Sequence, residues 1–150
     1  MIQYLLQLVI VFVATMCYAV LYHTPKKALV AVGLVGVGAW ITQSVITAYG
    51  FRPVGSAFFG GLFVAAASEA LARRMRMPVI VFVVGGIVPL LPGSSAWATM
   101  REFVTGHYNE GVSRGTETFL IAAALSAGLV LAGTIVRLDR RRGTGARKTS

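Results

Sequence analysis

The sequence has few of the residues that soluble catalytic and metal-binding sites use most. Of its 150 residues, 1 is cysteine, 2 are histidine and 5 are acidic, and only 13% are charged. A soluble domain of this size carries about a quarter charged residues. The lone Cys17 excludes an intrachain disulfide and metal binding through cysteine pairs. Because His23 and His107 fall in separate loops and no phosphate-binding glycine loop is present, we expect no enzyme activity, no metal and no cofactor.

Long apolar runs fill most of the chain instead. Hydrophobic residues make up 56% of it, and the charges cluster between the runs. This pattern predicts an all-α fold, a polytopic membrane helix bundle of about five transmembrane helices with the fourth broken. We expect a transmembrane domain over 1–138 and a disordered, basic cytoplasmic tail over 139–150. The predicted spans are residues 2–22, 28–48, 54–72, 78–99 and 117–138.

The basic residues cluster in every second loop, so most of them fall on one side of this predicted bundle. If the N-terminus lies outside, one inner loop holds Lys26 and Lys27, and the next holds Arg73, Arg74 and Arg76. The basic tail also falls inside, as the positive-inside rule requires for an N-out/C-in protein. The net charge of +9 therefore indicates a lipid bilayer and no nucleic acid. The alternative is a re-entrant fourth segment, after which the fifth helix would cross in the opposite sense.

The fourth segment, "PVIVFVVGGIVPLLPGSS", is apolar but rich in helix breakers. Proline lacks an N–H and clashes with the carbonyl four residues earlier. Lipid cannot satisfy the freed backbone groups, and transporters use such unwound backbone to bind substrates and ions. A helix that restarts at Ser94 or Ser95 would gain a serine cap. A kinked structural helix is the alternative to a site. The substrate pathway predicted here comprises Gly85, Gly86, Pro89, Pro92, Gly93, Ser94 and Ser95.

Two further polar positions lie inside apolar runs. Gln43 and Ser44 on the second span either line the same pathway or form interhelical hydrogen bonds. Glu69 on the third span is either a proton-linked carboxylate or an interfacial residue neutralised by Arg73 or Arg74. A carboxylate inside a span is costly, so the first interpretation predicts that Glu69 faces the bundle interior or a cavity.

Small residues recur every four positions on the third span. Ala57, Gly61 and Ala65 lie on one helix face, which lets a second helix approach closely. We expect this face to be a helix–helix contact.

Two stretches carry a resemblance to a known family. "GGIVPLLPGSSAW", within "ASEALARRMRMPVIVFVVGGIVPLLPGSSAWATM", resembles a Pro-containing apolar run that ends in Pro-Gly, small polar residues and an aromatic. "CYAVLYHTPKKAL" resembles a second stretch, where a helix ends at a proline-containing loop. In these motifs, and over most of the chain outside the basic tail, the sequence is similar to the threonine/serine exporter family, specifically the short membrane subunit of the two-component type.

The resemblance implies a function that composition does not show. Members of the family export small hydrophilic metabolites, threonine and serine above all, across the bacterial inner (cell) membrane. Some two-component members resemble exporters of a dicarboxylate, succinate. The resemblance also implies a longer membrane subunit of the same family as partner, and secondary transport driven by the proton gradient. The alternative is a non-transporting membrane scaffold that only stabilises that partner.

Overall fold

The computed structural model describes the backbone of residues 2–145 and the side chains of residues 2–135. Over these residues the chain is helical, with short connecting loops. A 3-10 turn, Val88–Leu90, lies between α4 and α5. The helices in chain order are α1 Ile2–Leu21, α2 Lys26–Ala48, α3 Pro53–Met75, α4 Val79–Ile87, α5 Gly93–Val104 and α6 Tyr108–Gly145.

The helix lengths confirm the all-α membrane bundle. Among the described residues, 4 helices are long and apolar enough to cross a membrane, and the pair α4 and α5, bent by 50°, makes a fifth candidate. The last helix is longer than predicted. It begins at Tyr108 rather than at 117 and continues through Gly145, where we expected disorder from 139. Residues 146–150 lie outside the described part of the chain.

Proline sets the start of three of the helices. Pro25 and Pro78 immediately precede α2 and α4, and Pro53 is the first residue of α3. Proline fits these positions because the first N–H groups of a helix have no partner within the helix. At the other end of α3, Arg76 adopts a left-handed conformation with φ 53°, and its N–H donates to the carbonyl of Ala72. The loops between spans are therefore short and fixed.

Helix α3 lies against α6 through the small residues of both helices. Ala57, Gly61 and Ala65 are buried, which confirms the predicted contact face. A Cβ atom added to Gly61 would lie 2.5 Å from the carbonyl oxygen of Leu125, and one added to Gly128 would overlap the carbonyl oxygen of Phe58. Only glycine permits so close an approach of two backbones.

Helices α3 and α6 run parallel. Pro53, at the start of α3, shares a cleft with Thr116. Glu69, near the end of α3, shares a cleft with Gly133. The α4–α5 pair therefore connects opposite ends of the bundle. This direction agrees with the predicted five crossings and differs from the re-entrant alternative. We call the end that holds Arg73 the inner end and the end that holds Pro53 the outer end. The N-out orientation itself stays a prediction.

Beyond the bend, α5 forms a hairpin with the first turns of α6. The Cγ2 atom of Thr99 lies 3.2 Å from a Cβ built on Gly115, and the ring of Phe103 lies 3.1 Å from one built on Gly111. None of the 12 residues of α5 is buried. The hairpin thus extends along α6 at the outer end of the bundle and does not enter the core.

The break between α4 and α5 is caused by Pro92 more than by the glycines. Leu91 is extended, with φ −64° and ψ 131°, because a residue before proline disfavours the helical region. Pro89 cannot donate to the carbonyl of Gly85, but the N–H of Val88 does so instead. The backbone at Gly85 and Gly86 is helical, so α4 continues through both glycines and the break lies at the prolines.

The predicted serine cap is wrong. Pro92, not Ser94 or Ser95, is the residue that precedes α5, and no side chain caps this helix. Since Pro92 has a fixed φ that suits the start of a helix, α5 begins at Gly93. Both serines consequently lie in its first turn.

Replacing Pro92 should straighten the α4–α5 pair. Pro92→Ala frees Leu91 to become helical, and the distance between spin labels at positions 80 and 104 should increase by about 3 Å at about 1.5 Å per residue. Ile80 and Val104 are exposed and accept labels once the single Cys17 is replaced by serine. Pro89→Ala, in which Val88 still serves the Gly85 carbonyl, is the comparison and should change the distance less. An unchanged distance in Pro92→Ala would show that packing, not Pro92, imposes the bend.

The α3–α6 contact predicts opposite outcomes for two glycines of α6. Gly128→Ala should destabilise the protein by about 2 kcal/mol, because the added methyl overlaps the backbone of Phe58. Gly133→Ala should be neutral or stabilise by up to about 1 kcal/mol, since within the described chain nothing lies within 4 Å of its Cβ position. Unfolding in mixed detergent micelles measures both. Equal effects for the two variants would contradict the close approach.

Candidate functional site

The double glycine of α4 lies against α2. A Cβ atom on Gly86 would lie 2.5 Å from Cγ1 of Val35, and one on Gly85 would overlap the side chain of Val32. Both glycines are buried. Their function in the fold is therefore to bring α4 close to α2, and this contact holds the break that follows at a fixed place in the bundle.

The break lies next to Gln43. Leu90, the last residue of the 3-10 turn, is 2% exposed and packs where a Cβ on Gly60 would be. The Cβ of Gln43 lies 4.0 Å from that same position. Gln43 on α2, Gly60 on α3 and Leu90 thus meet at one point. We call this group the kink site.

Gln43 is the polar group of the kink site. Its side chain is half-buried, and its backbone carbonyl accepts a 2.8 Å hydrogen bond from the Thr47 hydroxyl. It lies about 8 Å from the outer end of α2, at about 1.5 Å per residue. An amide both donates and accepts hydrogen bonds, which makes Gln43 the best-placed binding group at the break.

Ser44 accompanies Gln43 on α2, whereas the predicted residues of α5 lie elsewhere. Ser44 is half-buried, as are Pro89 and Pro92. Ser94 is exposed and does not face the bundle interior, contrary to expectation. The half-buried Ser95 accepts a 2.8 Å hydrogen bond at its carbonyl from the Thr99 hydroxyl. The structure therefore places Gln43 at the break itself, whereas Ser94 and Ser95 lie on the α5–α6 hairpin.

Nothing crowds Gly93. Within the described chain, no atom lies within 4 Å of a Cβ built on this residue. It belongs to the same outer hairpin as the two serines, so the predicted pathway residues divide into a group beside α2 and a group on α5.

Glu69 lies in a cleft at the inner end. Its side chain is 13% exposed, and its Oε1 atom lies 3.4 Å from Nε of Arg73. The cleft, of about 220 Å³, is formed by α3, α4 and α6. The predicted pairing with Arg73 is thus present, and so is the predicted cavity. Glu69 lies about 13 Å from Gly60 along α3, at about 1.5 Å per residue, so it belongs to a second site.

Ser68 was not singled out from the sequence. It is 0% exposed, and its hydroxyl oxygen has no hydrogen-bond partner among the described atoms. A single serine in an apolar helix is indistinguishable from a packing residue until its surroundings are known. Ser68 is therefore a buried polar group next to Glu69 in the inner half of α3.

The cleft that Pro53 and Thr116 share opens at the outer end. It has a volume of about 610 Å³ and is lined by Arg52, Ser113 and Glu117, among others. Its charged groups are exposed to solvent. The residues that the structure describes contain no cluster of three or more histidine, cysteine or acidic side chains able to hold a metal ion.

Comparison with known proteins identifies the family. The family model described as "Threonine/Serine exporter, ThrE" matches residues 7–135. A "Threonine/serine exporter" of Corynebacterium glutamicum is 30% identical over 89 residues, which are 59% of this chain and 18% of that protein. The chain therefore spans a small part of that relative's length. No solved structure matches the chain. Because the family model covers most of the sequence, this multi-pass membrane chain belongs to the threonine/serine exporter family.

Proposed function

We propose that the chain is an integral membrane subunit of a secondary exporter in the bacterial inner membrane, oriented N-out/C-in. Its substrates are small hydrophilic metabolites, most simply threonine and serine, and it works together with a longer subunit of the same family. It is not an enzyme. Family membership supports export, and the observation that carries a direct role is the kink site, where a broken span meets the half-buried side chain of Gln43.

The chemistry of Gln43 suits an amino acid. Its amide oxygen accepts hydrogen bonds and its NH₂ group donates them. An α-ammonium and an α-carboxylate require both kinds of partner. Two transmembrane helices and the break supply one wall of the site, and the longer subunit supplies the facing wall.

Glu69 suits the coupling of export to the proton gradient. It is paired with Arg73 near the inner end and lies in the α3–α4–α6 cleft. Protonation would remove its charge and weaken its attraction to Arg73. The proposed role is therefore a proton carrier, separated by about 13 Å along α3 from the kink site at about 1.5 Å per residue.

Gln43→Leu tests the kink site. Removing the amide should lower threonine efflux about tenfold, because a hydrogen bond to a charged group is worth about 1.5–3 kcal/mol. Efflux of labelled threonine is measured in cells that carry the longer subunit, at equal membrane abundance of the variants. Thr47→Val, one turn further out on the exposed face of α2, is the matched control and should keep wild-type efflux. Wild-type efflux with Gln43→Leu would contradict the site.

The same assay distinguishes substrates. Labelled succinate replaces threonine, and the two rates are compared for the wild-type chain. Faster succinate efflux, lowered by Gln43→Leu, would identify a dicarboxylate exporter.

Glu69→Gln tests the proton link. The neutral isostere should abolish the response of efflux to an imposed pH gradient, because it cannot carry a proton. The measurement uses proteoliposomes that contain both subunits. Glu110→Gln, at the exposed start of α6, removes the same charge outside the bundle and should keep the response. An unchanged response in Glu69→Gln would leave Glu69 as the ion-pair partner of Arg73 only.

The scaffold alternative is favoured by the contacts of α3. The close approach at Gly61 and the buried faces of α2 and α3 are what a purely structural subunit would also need. Cells that contain the longer subunit without this chain separate the two functions. Efflux that stays undiminished at equal abundance of the longer subunit would identify this chain as a scaffold.

A further inference from the structure

A groove runs along α3 between α4 and α6 at the inner half of the bundle. Two adjoining cavities form it, of about 220 Å³ and about 310 Å³, and both are lined by Glu69 and Val79. We call it the inner groove. Its upper part, which lies farther from the inner end, is formed mainly by apolar side chains and Gly133. Its mouth, at the inner end, is lined by two arginines.

The upper part of the inner groove is apolar and open. Ala65 of α3, Val83 of α4 and Leu129 of α6 form its walls. Gly133 leaves further space, since within residues 2–135 no atom lies within 4 Å of its Cβ position. The space suits a flexible hydrocarbon chain. A helix, about 10–12 Å in diameter with its side chains, is too wide for a cavity of this size.

The mouth of the groove carries positive charge. Arg76 is exposed, and the left-handed turn that ends α3 places it at the mouth. Arg73 lines the same mouth and contacts Glu69. The carboxylate of Glu69 also faces the mouth, so the three side chains together carry one net positive charge. Guanidinium groups bind phosphate through paired hydrogen bonds.

We propose that the inner groove binds one anionic phospholipid. Its phosphate lies at Arg76 and Arg73, and one acyl chain lies over Val83 and Gly133. An apolar groove with a cationic mouth complements an anionic lipid, and the predicted inner leaflet is where basic residues at the membrane surface meet such lipids. The proposal does not rest on export. Gln43 of α2 and the rest of the kink site lie beside the outer half of α3, and the lipid test measures retention rather than efflux, so either proposal can fail without the other.

Native mass spectrometry of the purified chain tests the lipid site. The chain is delipidated in a neutral detergent and incubated with phosphatidylglycerol or phosphatidylcholine. We expect about one phosphatidylglycerol per chain, and at least about tenfold less phosphatidylcholine, since the lipids differ in net charge at the head group. Equal retention of the two lipids would overturn the proposal.

Two variants test the two ends of the groove separately. Arg76→Gln removes a charge at the mouth, and Gly133→Leu fills the apolar part; each should lower phosphatidylglycerol retention about tenfold. The matched controls are Arg101→Gln, on the outer hairpin, and Gly93→Leu, which fills open space on α5. Both controls should retain the lipid. If Gly133→Leu fails to fold, as judged by circular dichroism, Arg76→Gln alone decides the result.

The remaining outcomes also decide the proposal. Retention of phosphatidylglycerol by folded Gly133→Leu or by Arg76→Gln would show that the lipid binds elsewhere on the basic surface and would overturn the site. Loss of the lipid from the wild-type chain when the longer subunit is co-purified would show that a protein segment occupies the groove, which would overturn it as well. Retention in that complex supports the lipid.

Discussion

The backbone at the break between α4 and α5 must satisfy its polar groups without help from lipid, and the packing of the bundle follows from this requirement. Each unsatisfied group in hydrocarbon costs several kcal/mol. The N–H of Val88 donates to the carbonyl of Gly85, to which Pro89 cannot donate because it has no N–H. The N–H of Leu91 donates to the Val88 carbonyl at 3.3 Å. The break is thus a tightened turn rather than a free strand. Leu90 anchors it in the core.

Close helix packing positions this turn, and glycine makes the packing possible. Helices in lipid gain no hydrophobic free energy from association, so close van der Waals contact has to stabilise them. The missing side chain of Gly86 leaves room for Val35 of α2, and that of Gly60 leaves room for Leu90. Gly61, which follows Gly60 on α3, and Gly128 on α6 bring the backbones of these two helices together. The contacts around α3 therefore determine where the polar groups of α2 and α3 lie.

The polar and charged side chains around α3 fall into two groups, one toward each end of the helix. The amide of Gln43 lies beside the break toward the outer end, while Glu69, Arg73 and Arg76 lie toward the inner end. In the proposed secondary exporter, α3 would connect the proposed substrate site beside Gln43 with the proposed proton-linked Glu69. The proposed anionic lipid in the inner groove would border Glu69 and leave the kink site free.

Local sequence was sufficient to predict the class and the small-residue face of α3, because hydropathy and four-residue spacing each depend on nearby residues. Of its two interpretations of Glu69, one expected the bundle interior or a cavity and the other an ion pair, and the structure shows both a cleft and the contact with Arg73. Local sequence could not show that Gly85 and Gly86 serve packing rather than unwinding, because that depends on Val32 and Val35 of another helix. Nor could it show that Ser94 leaves the bundle, since the direction of α5 is set by Pro92 and by the contact of Phe103 with Gly111. The sequence named Gln43 and Ser44 as candidates, and only the tertiary structure placed Gln43 beside Gly60 and Leu90, because that contact joins helices far apart in the chain.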